Sequence, residues 1–250
     1  MATNQNAKLA VLIDADNAQA SCIQELLAEA SRYGTATIKR AYGDWTTTNL
    51  KGWKEVLHKL AIQPIQQFSY TSGKNSTDSS LIIDAMDILH ARSVDGFCLV
   101  SSDSDFTRLA TRLRESGFVV YGFGERKTPE AFVAGCDKFI YTEILRPAPE
   151  KPQQAEGPAL PLLKPMLLAA LGAVTREDGW AALGPIGSQM TKNHPAFDPR
   201  NYGFSKLGEL VRKQPFLDCK EVAVEGSGGV HLHARLKQAG SAAVNNKSAM

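Results

Sequence analysis

The sequence predicts an α/β domain, a mostly parallel sheet with helices on both faces, followed by a small α+β domain. Three observations predict it. Short apolar or β-branched runs alternate with segments of helical period up to Phe123, two of those runs are apolar almost throughout, and beyond a proline-rich stretch the rhythm changes to helices followed by a hairpin.

The elements follow in order. LAVLI (9–13) reads as a strand, then a helix from about Ala20 to Tyr33, ATIKRAY (36–42), and a helix around Leu50 to Leu60. The pattern repeats with IQPIQQ, a helix from about Thr77 to Ala91, GFCLVS (96–101), a helix from about Phe106 to Glu115, and FVVYGF (118–123). Runs 9–13 and 96–101 have the composition of central strands covered on both sides. RPAPEKPQQAEGPALP (146–161) carries five prolines and no apolar periodicity, so it reads as an extended linker over 147–161. This predicts a first domain over 1–146 and a second over 162–238, with 239–250 as a disordered tail.

Past the linker, LLKPMLLAALGAV reads as a helix that tolerates Pro165 in its first turn, where the missing N–H has no intrahelical partner to lose. Helical segments at Ile186–Lys192 and Ser205–Lys213 follow, then two β-like runs (216–224 and 229–236) joined by the glycine-rich turn EGSGG. Three helices and a β-hairpin give the outline of a winged helix-turn-helix.

Composition narrows the class. A chain that is 43% hydrophobic and 22% charged belongs with globular proteins, not with disordered or fibrous ones. No run approaches the ~18 apolar residues of a membrane span. The N-terminus lacks a basic stretch followed by an apolar core. Cys22, Cys98, Cys136 and Cys219 have neither disulfide nor zinc spacing, which suits reduced thiols, so the expected location is cytoplasmic. Up to Glu150 there are 16 basic and 18 acidic residues, and beyond it 12 and 8, so the positive excess is C-terminal. That division suits a protein whose acidic site and polyanion-gripping surface are separate.

The acids sit where strands end. Run 9–13 leads directly into Asp14-Ala15-Asp16-Asn17, and run 96–101 into Ser102-Asp103-Ser104-Asp105. In an open parallel sheet ligands bind beyond the carboxyl ends of the strands, where strand order reverses. If these strands are neighbours there, four carboxylates share one crevice, a cluster that a cation renders tolerable. Hard oxygen ligands select magnesium or manganese. Asp78 falls in the first turn of the helix after Gly73-Lys74-Asn75-Ser76-Thr77, where the helix dipole alone also favours an acid. Asp84, farther along that helix, is either a support for the site or part of its solvated face. Asp44, after ATIKRAY, is either a secondary site candidate or a turn acid. Asp16 and Asp105 are candidates for the site or for capping the next helix.

LAVLIDADNA, GKNSTDSSLIIDAMDILH, FCLVSSDSDFTRLATRLRESGFVVYGFGERKTPEAF and CDKFIY together resemble the NYN domain, a branch of the PIN-like nuclease superfamily, over about residues 8–145. The resemblance implies a PIN-like fold and one or two divalent metals, Mg2+ or Mn2+, held by Asp14, Asp78, Asp103 and Asp105. With it Asn17 would orient the site or substrate, while Asp16, Asp44 and Asp84 stay supporting candidates on their positions alone. DGWAALGPIGSQMTKNHPAFDPRNYGFSKLGELVRKQPFLD resembles a LOTUS domain, also called OST-HTH, which implies RNA binding. Within it Leu207, Leu210 and Val211 read as the inward stripe of a helix, with Lys206, Arg212 and Lys213 available to phosphates. Trp180 and Tyr202 read as core aromatics ahead of stacking platforms.

The expectation is therefore a metal-dependent endoribonuclease. A carboxylate-held metal activates water and clamps the scissile phosphate of single-stranded RNA, with Lys51 and Lys74 steering the backbone and 5′-phosphate and 3′-hydroxyl ends as products. Two alternatives stand beside it: a non-catalytic RNA-binding adaptor, and a haloacid-dehalogenase-like phosphatase with the first Asp as covalent nucleophile. The phosphatase fits less well, because Asn17 stands where that family places a Thr or Val.

Overall fold

The computed structural model describes residues 6–68, 76–145, 160–223 and 230–237. Lys74, almost all of the predicted linker, the EGSGG turn and the predicted disordered tail lie outside the described residues. The chain divides into two compact units, residues 1–160 with 191–198 and residues 161–190 with 199–250.

The first unit is built on six strands: β1 (Lys8–Asp14), β2 (Thr35–Gly43), β3 (Gln63–Gln66), β4 (Gly96–Val100), β5 (Val119–Gly124) and β6 (Lys138–Tyr141). They lie in the order β3-β2-β1-β4-β5-β6, every pair parallel. The order reverses between β1 and β4, so the crevice beyond their carboxyl ends is the topological switch point. Among the described residues the α-helices of this unit are α1 (Ile23–Ala30), α2 (Trp53–Lys59), α3 (Ser76–Ala91), α4 (Thr107–Glu115) and α5 (Glu130–Gly135).

Alternation along the central strands fills both faces. Leu9, Val11 and Ile13 of β1 join Cys98 and Val100 of β4 in a core with Ile23 and Leu26 of α1 and Trp53 and Leu57 of α2. The residues between them, Ala10, Leu12, Phe97 and Leu99, join Leu81 and Ile88 of α3 and Leu109 and Leu113 of α4. Each large aliphatic side chain buried this way is worth roughly 1.5–3 kcal/mol relative to exposure. Together they hold β1 and β4 rigidly side by side, with Ile13 opposite Val100. The strand ends carrying the acids therefore start from a fixed platform.

β6 and α5 were not evident from sequence rhythm. Each is short, at four and six residues, and below the length at which periodicity separates strand from helix. Gly124 shows how tightly β5 closes on the end of β4. A Cβ there would lie 2.5 Å from the Ser101 carbonyl oxygen and 2.7 Å from Thr128 Oγ1, so only glycine permits the approach.

The second unit holds α6 (Leu163–Val174), β7 (Ala181–Ala182), α7 (Leu183–Asn193) up to Met190, α8 (Leu207–Arg212), β8 (Leu217–Ala223) and β9 (Val230–Leu236). The strands form an antiparallel sheet in the order β7-β9-β8. Its core gathers Leu167 and Leu171 of α6, Ile186 of α7, Leu210 and Val211 of α8, and Ala234 of β9. Leu207 is only half-buried. Trp180 meets two cations, Lys220 Nζ of β8 at 4.2 Å and Arg235 Cζ of β9 at 4.5 Å from its ring centre, so it ties onto the sheet through cation–π contact. Among the described residues no helix is long and apolar enough to cross a membrane.

Candidate metal centre

β1 ends on Asp14, which is fully buried. Both of its carboxylate oxygens are occupied: Oδ2 accepts from Asn17 Nδ2 (2.8 Å) and Ser101 Oγ (2.7 Å), and Oδ1 accepts from the Asn17 backbone N–H (3.3 Å). Burial raises the Asp14 pKa, and these hydrogen bonds oppose the rise while Asp16 adds to it. Asp14 is thus the floor of the site, clamped by one residue from its own loop and one that directly follows β4.

Ser101 is the hinge of the second acidic loop. Its backbone N–H donates to the Phe123 carbonyl (3.0 Å), which extends β4 along β5, and its hydroxyl accepts from the Asp103 backbone N–H (3.1 Å) while donating to Asp14. The adjacent Ser102 hydroxyl accepts from the Glu125 N–H (2.8 Å). Asp103 then caps the 3-10 turn Ser104–Phe106, its Oδ1 accepting from the Asp105 N–H (2.9 Å). Asp78 arrives from the first turn of α3, whose start is tied to the β1 loop where Thr77 Oγ1 donates to Asp16 Oδ2 (2.9 Å).

These constraints bring Asp78, Asp103 and Asp105 together: each offers one carboxylate oxygen, and the three lie within 4.8 Å of one another. Asp78 and Asp103 are half-buried and Asp105 is exposed, so the cluster opens to solvent on one side. The Asp78 pKa is pushed up to about 6, first by burial and then by the charges of Asp14, Asp103, Asp105 and Asp16. This rise occurs despite a helix N-terminus that favours an anion. Five carboxylates thus act on one crevice, and its donor set is all hard oxygen. The residues fit a divalent cation, which would neutralise the repulsion among these carboxylates.

The remaining candidates fall elsewhere. Asp84 does not join the cluster; its carboxylate accepts from Arg40 and from the Tyr42 hydroxyl, tying α3 to β2. Asp44 holds the turn after β2, where Oδ1 accepts from the Thr46 N–H (3.1 Å), Thr46 Oγ1 (2.6 Å) and Gln66 Nε2 (3.0 Å). Lys51 is exposed just before α2. In the second unit Lys206 and Lys213 are exposed at the two ends of α8, while Arg212, expected to face phosphates, is paired with Glu221 of β8. Ser101 and Thr77 were missed as site residues. Their only signal is a hydroxyl residue at the strand-to-loop and loop-to-helix junctions that carry the acids.

The NYN domain family matches residues 8–145, more than half of the chain. The chain belongs to the NYN family. An OST-HTH/LOTUS domain follows at residues 160–226. The NYN match places the first unit among PIN-like nucleases, which are generally dependent on divalent metal, and the LOTUS match suggests RNA binding. No curated protein matches the chain. Among solved structures, this NYN protein is similar to a protein of unknown function from Vibrio parahaemolyticus, with 21% identity over 56% of this chain and 94% of that one and a TM-score of 0.46. It is also similar to residues 175–257 of a Chromobacterium violaceum protein (36% identity, 35% of this chain, 92% of that one, TM-score 0.27). A third likeness is to an uncharacterized Nitrosomonas europaea protein (32% identity, 37% and 90% covered, TM-score 0.29).

Proposed function

We propose that this NYN protein is a metal-dependent endoribonuclease that hydrolyses phosphodiester bonds of single-stranded RNA, with its LOTUS domain holding the substrate. The observation that carries the reading is the convergence of Asp78, Asp103 and Asp105 on one open point at the switch of the sheet. In this reading those three acids hold Mg2+ or Mn2+, and Asp14 adds its charge from beneath. A cation held there would supply a water of lowered pKa and positive charge toward the scissile phosphate.

The chain's own residues do the positioning. Asn17 and Ser101 keep Asp14 ionisable and still, the Thr77–Asp16 hydrogen bond sets the start of α3 and hence Asp78, and the cap at Asp103 fixes the turn that carries Asp105. Exposure of Asp105 leaves the phosphate a way in. The phosphatase alternative loses support at Asp14. As a covalent nucleophile it would have to attack with an oxygen that is buried and already accepting hydrogen bonds.

The test is incubation of purified full-length protein with end-labelled single-stranded RNA. Cleavage absent in chelator and restored by manganese or magnesium, with 5′-phosphate and 3′-hydroxyl ends, is the expected result. Full activity in chelator with 2′,3′-cyclic phosphate ends would replace this mechanism with metal-free acid–base chemistry.

A further inference from the structure

A groove of about 760 Å³ runs along α2 beside the β2–β3 edge of the first unit, within the roughly 300–1,000 Å³ of clefts that take small ligands. Its walls include Trp45, Leu50, Leu57 and Pro64, and its rim carries Lys51 and Lys54. No lining residue is acidic. Both lysines are exposed, and among the described residues neither ammonium group has an ion-pair or hydrogen-bond partner. Lys39 and Lys127 of the same unit, by contrast, are engaged, with the Leu60 carbonyl and with Glu125. The fold therefore does not use these two charges for itself.

The groove abuts the acidic site. Gly43 ends β2, and a Cβ built on it would lie 2.6 Å from Leu50 Cδ1, in the groove wall, and 3.5 Å from Asp16 Oδ1, in the acidic loop. One backbone position thus separates the two features, and it carries no side chain. Trp45 follows two residues later, its indole N–H donating to the Ile65 carbonyl (2.9 Å) and its ring edge-on to Trp53. An apolar, aromatic-walled slot bordered by unneutralised cations complements a ligand that alternates flat bases with phosphates.

We infer that this groove receives an unpaired nucleotide of the RNA strand flanking the scissile bond, its base against Trp45 and Pro64 and its phosphates on Lys51 and Lys54. The inference rests on the nuclease reading for the identity of the strand, and it assigns that strand a path across Gly43. Lys51 and Lys54 are positioning residues on this account, acting on affinity and register.

The experiment uses the full chain with Asp103→Asn, which keeps substrate intact, bound to single-stranded RNA carrying 4-thiouridine and photocrosslinked. Crosslinks are expected between residues 45 and 64. The added substitutions Lys51→Gln and Lys54→Gln should cut affinity about tenfold, abolish those crosslinks, and lower the salt slope of binding by about 1.4, near 0.7 per phosphate contact on a single strand. An unchanged melting temperature guards against misfolding. Crosslinks confined elsewhere, affinity within twofold, or displacement of the RNA from the groove by an acidic peptide of equal length would each overturn the inference, the last by assigning the groove to a protein partner. Cleavage by the parent chain is scored in parallel. Groove crosslinks without cleavage would refute the nuclease reading alone, and cleavage without groove crosslinks would refute this inference alone.

Discussion

Asp78→Asn should stabilise the metal-free protein at neutral pH. The Asp78 pKa is raised from 3.8 to about 6 by burial and neighbouring carboxylates, so the folded state holds its proton more tightly than the unfolded state does. Stability from this group is therefore highest below pH ~4, falls as pH rises to about 6, and stays lower above it, the reverse of a salt-bridged aspartate. For a fully buried group the difference would be worth about 3 kcal/mol; Asp78 is only half-buried, and solvent screening reduces this to about 1 kcal/mol. Asparagine has nearly the same shape and no charge at any pH. In EDTA at pH 7.5 the variant should melt roughly 2–4 °C above the parent, and at pH 4 the two should coincide. Saturating manganese should reverse the order, because cation binding at 100 times Kd stabilises the parent by about 2.7 kcal/mol and the variant by less. If Asp78→Asn destabilises the metal-free protein equally at both pH values, the carboxylate is a structural hydrogen-bonding group and the repulsion argument fails.

Ser101→Ala removes the hydroxyl that donates to buried Asp14 and accepts from the Asp103 N–H; it should cost about 1–3 kcal/mol in urea unfolding and lower cleavage about tenfold, with RNA affinity unchanged. Asp84→Asn leaves Arg40 without its carboxylate and should cost about 2 kcal/mol while changing cleavage less than threefold, separating an acid that braces α3 from the acids that act. A loss of cleavage at Asp84→Asn as large as that at Asp103→Asn would return Asp84 to the site.

Much of the site is legible in the sequence. β1 and β4 are apolar on both faces, so their burial, adjacency at the sheet centre and delivery of acids to one edge follow from composition and topology together. What composition cannot convey is which acid lies beneath and which faces outward. Asp14 and Asp103 look equivalent in sequence, each an acid closing an apolar strand, yet Asp14 is sealed by Asn17 and Ser101 while Asp103 remains half-exposed. The strand-end rule also gathers too many acids. Asp44 meets it but holds its own turn; Asp84, which lies not at a strand end but farther along α3 than Asp78, is bound to Arg40 and Tyr42 through contacts spanning more than 40 residues. Ser101 and Thr77 escape notice because hydroxyl residues are common wherever chains turn. Arg212 carries the charge expected of a phosphate contact, but its pairing with Glu221 depends on the register of β8 against α8.

The central claim, that the carboxylates at the switch point form a metal centre for cutting RNA, is tested most directly by single-turnover cleavage of labelled single-stranded RNA, the parent beside Asp103→Asn in the same manganese buffer. The variant should cleave at least ~100-fold more slowly, from loss of charge stabilisation at the phosphate, with RNA affinity within twofold of the parent. Equal cleavage rates in preparations shown free of contaminating nuclease would contradict it.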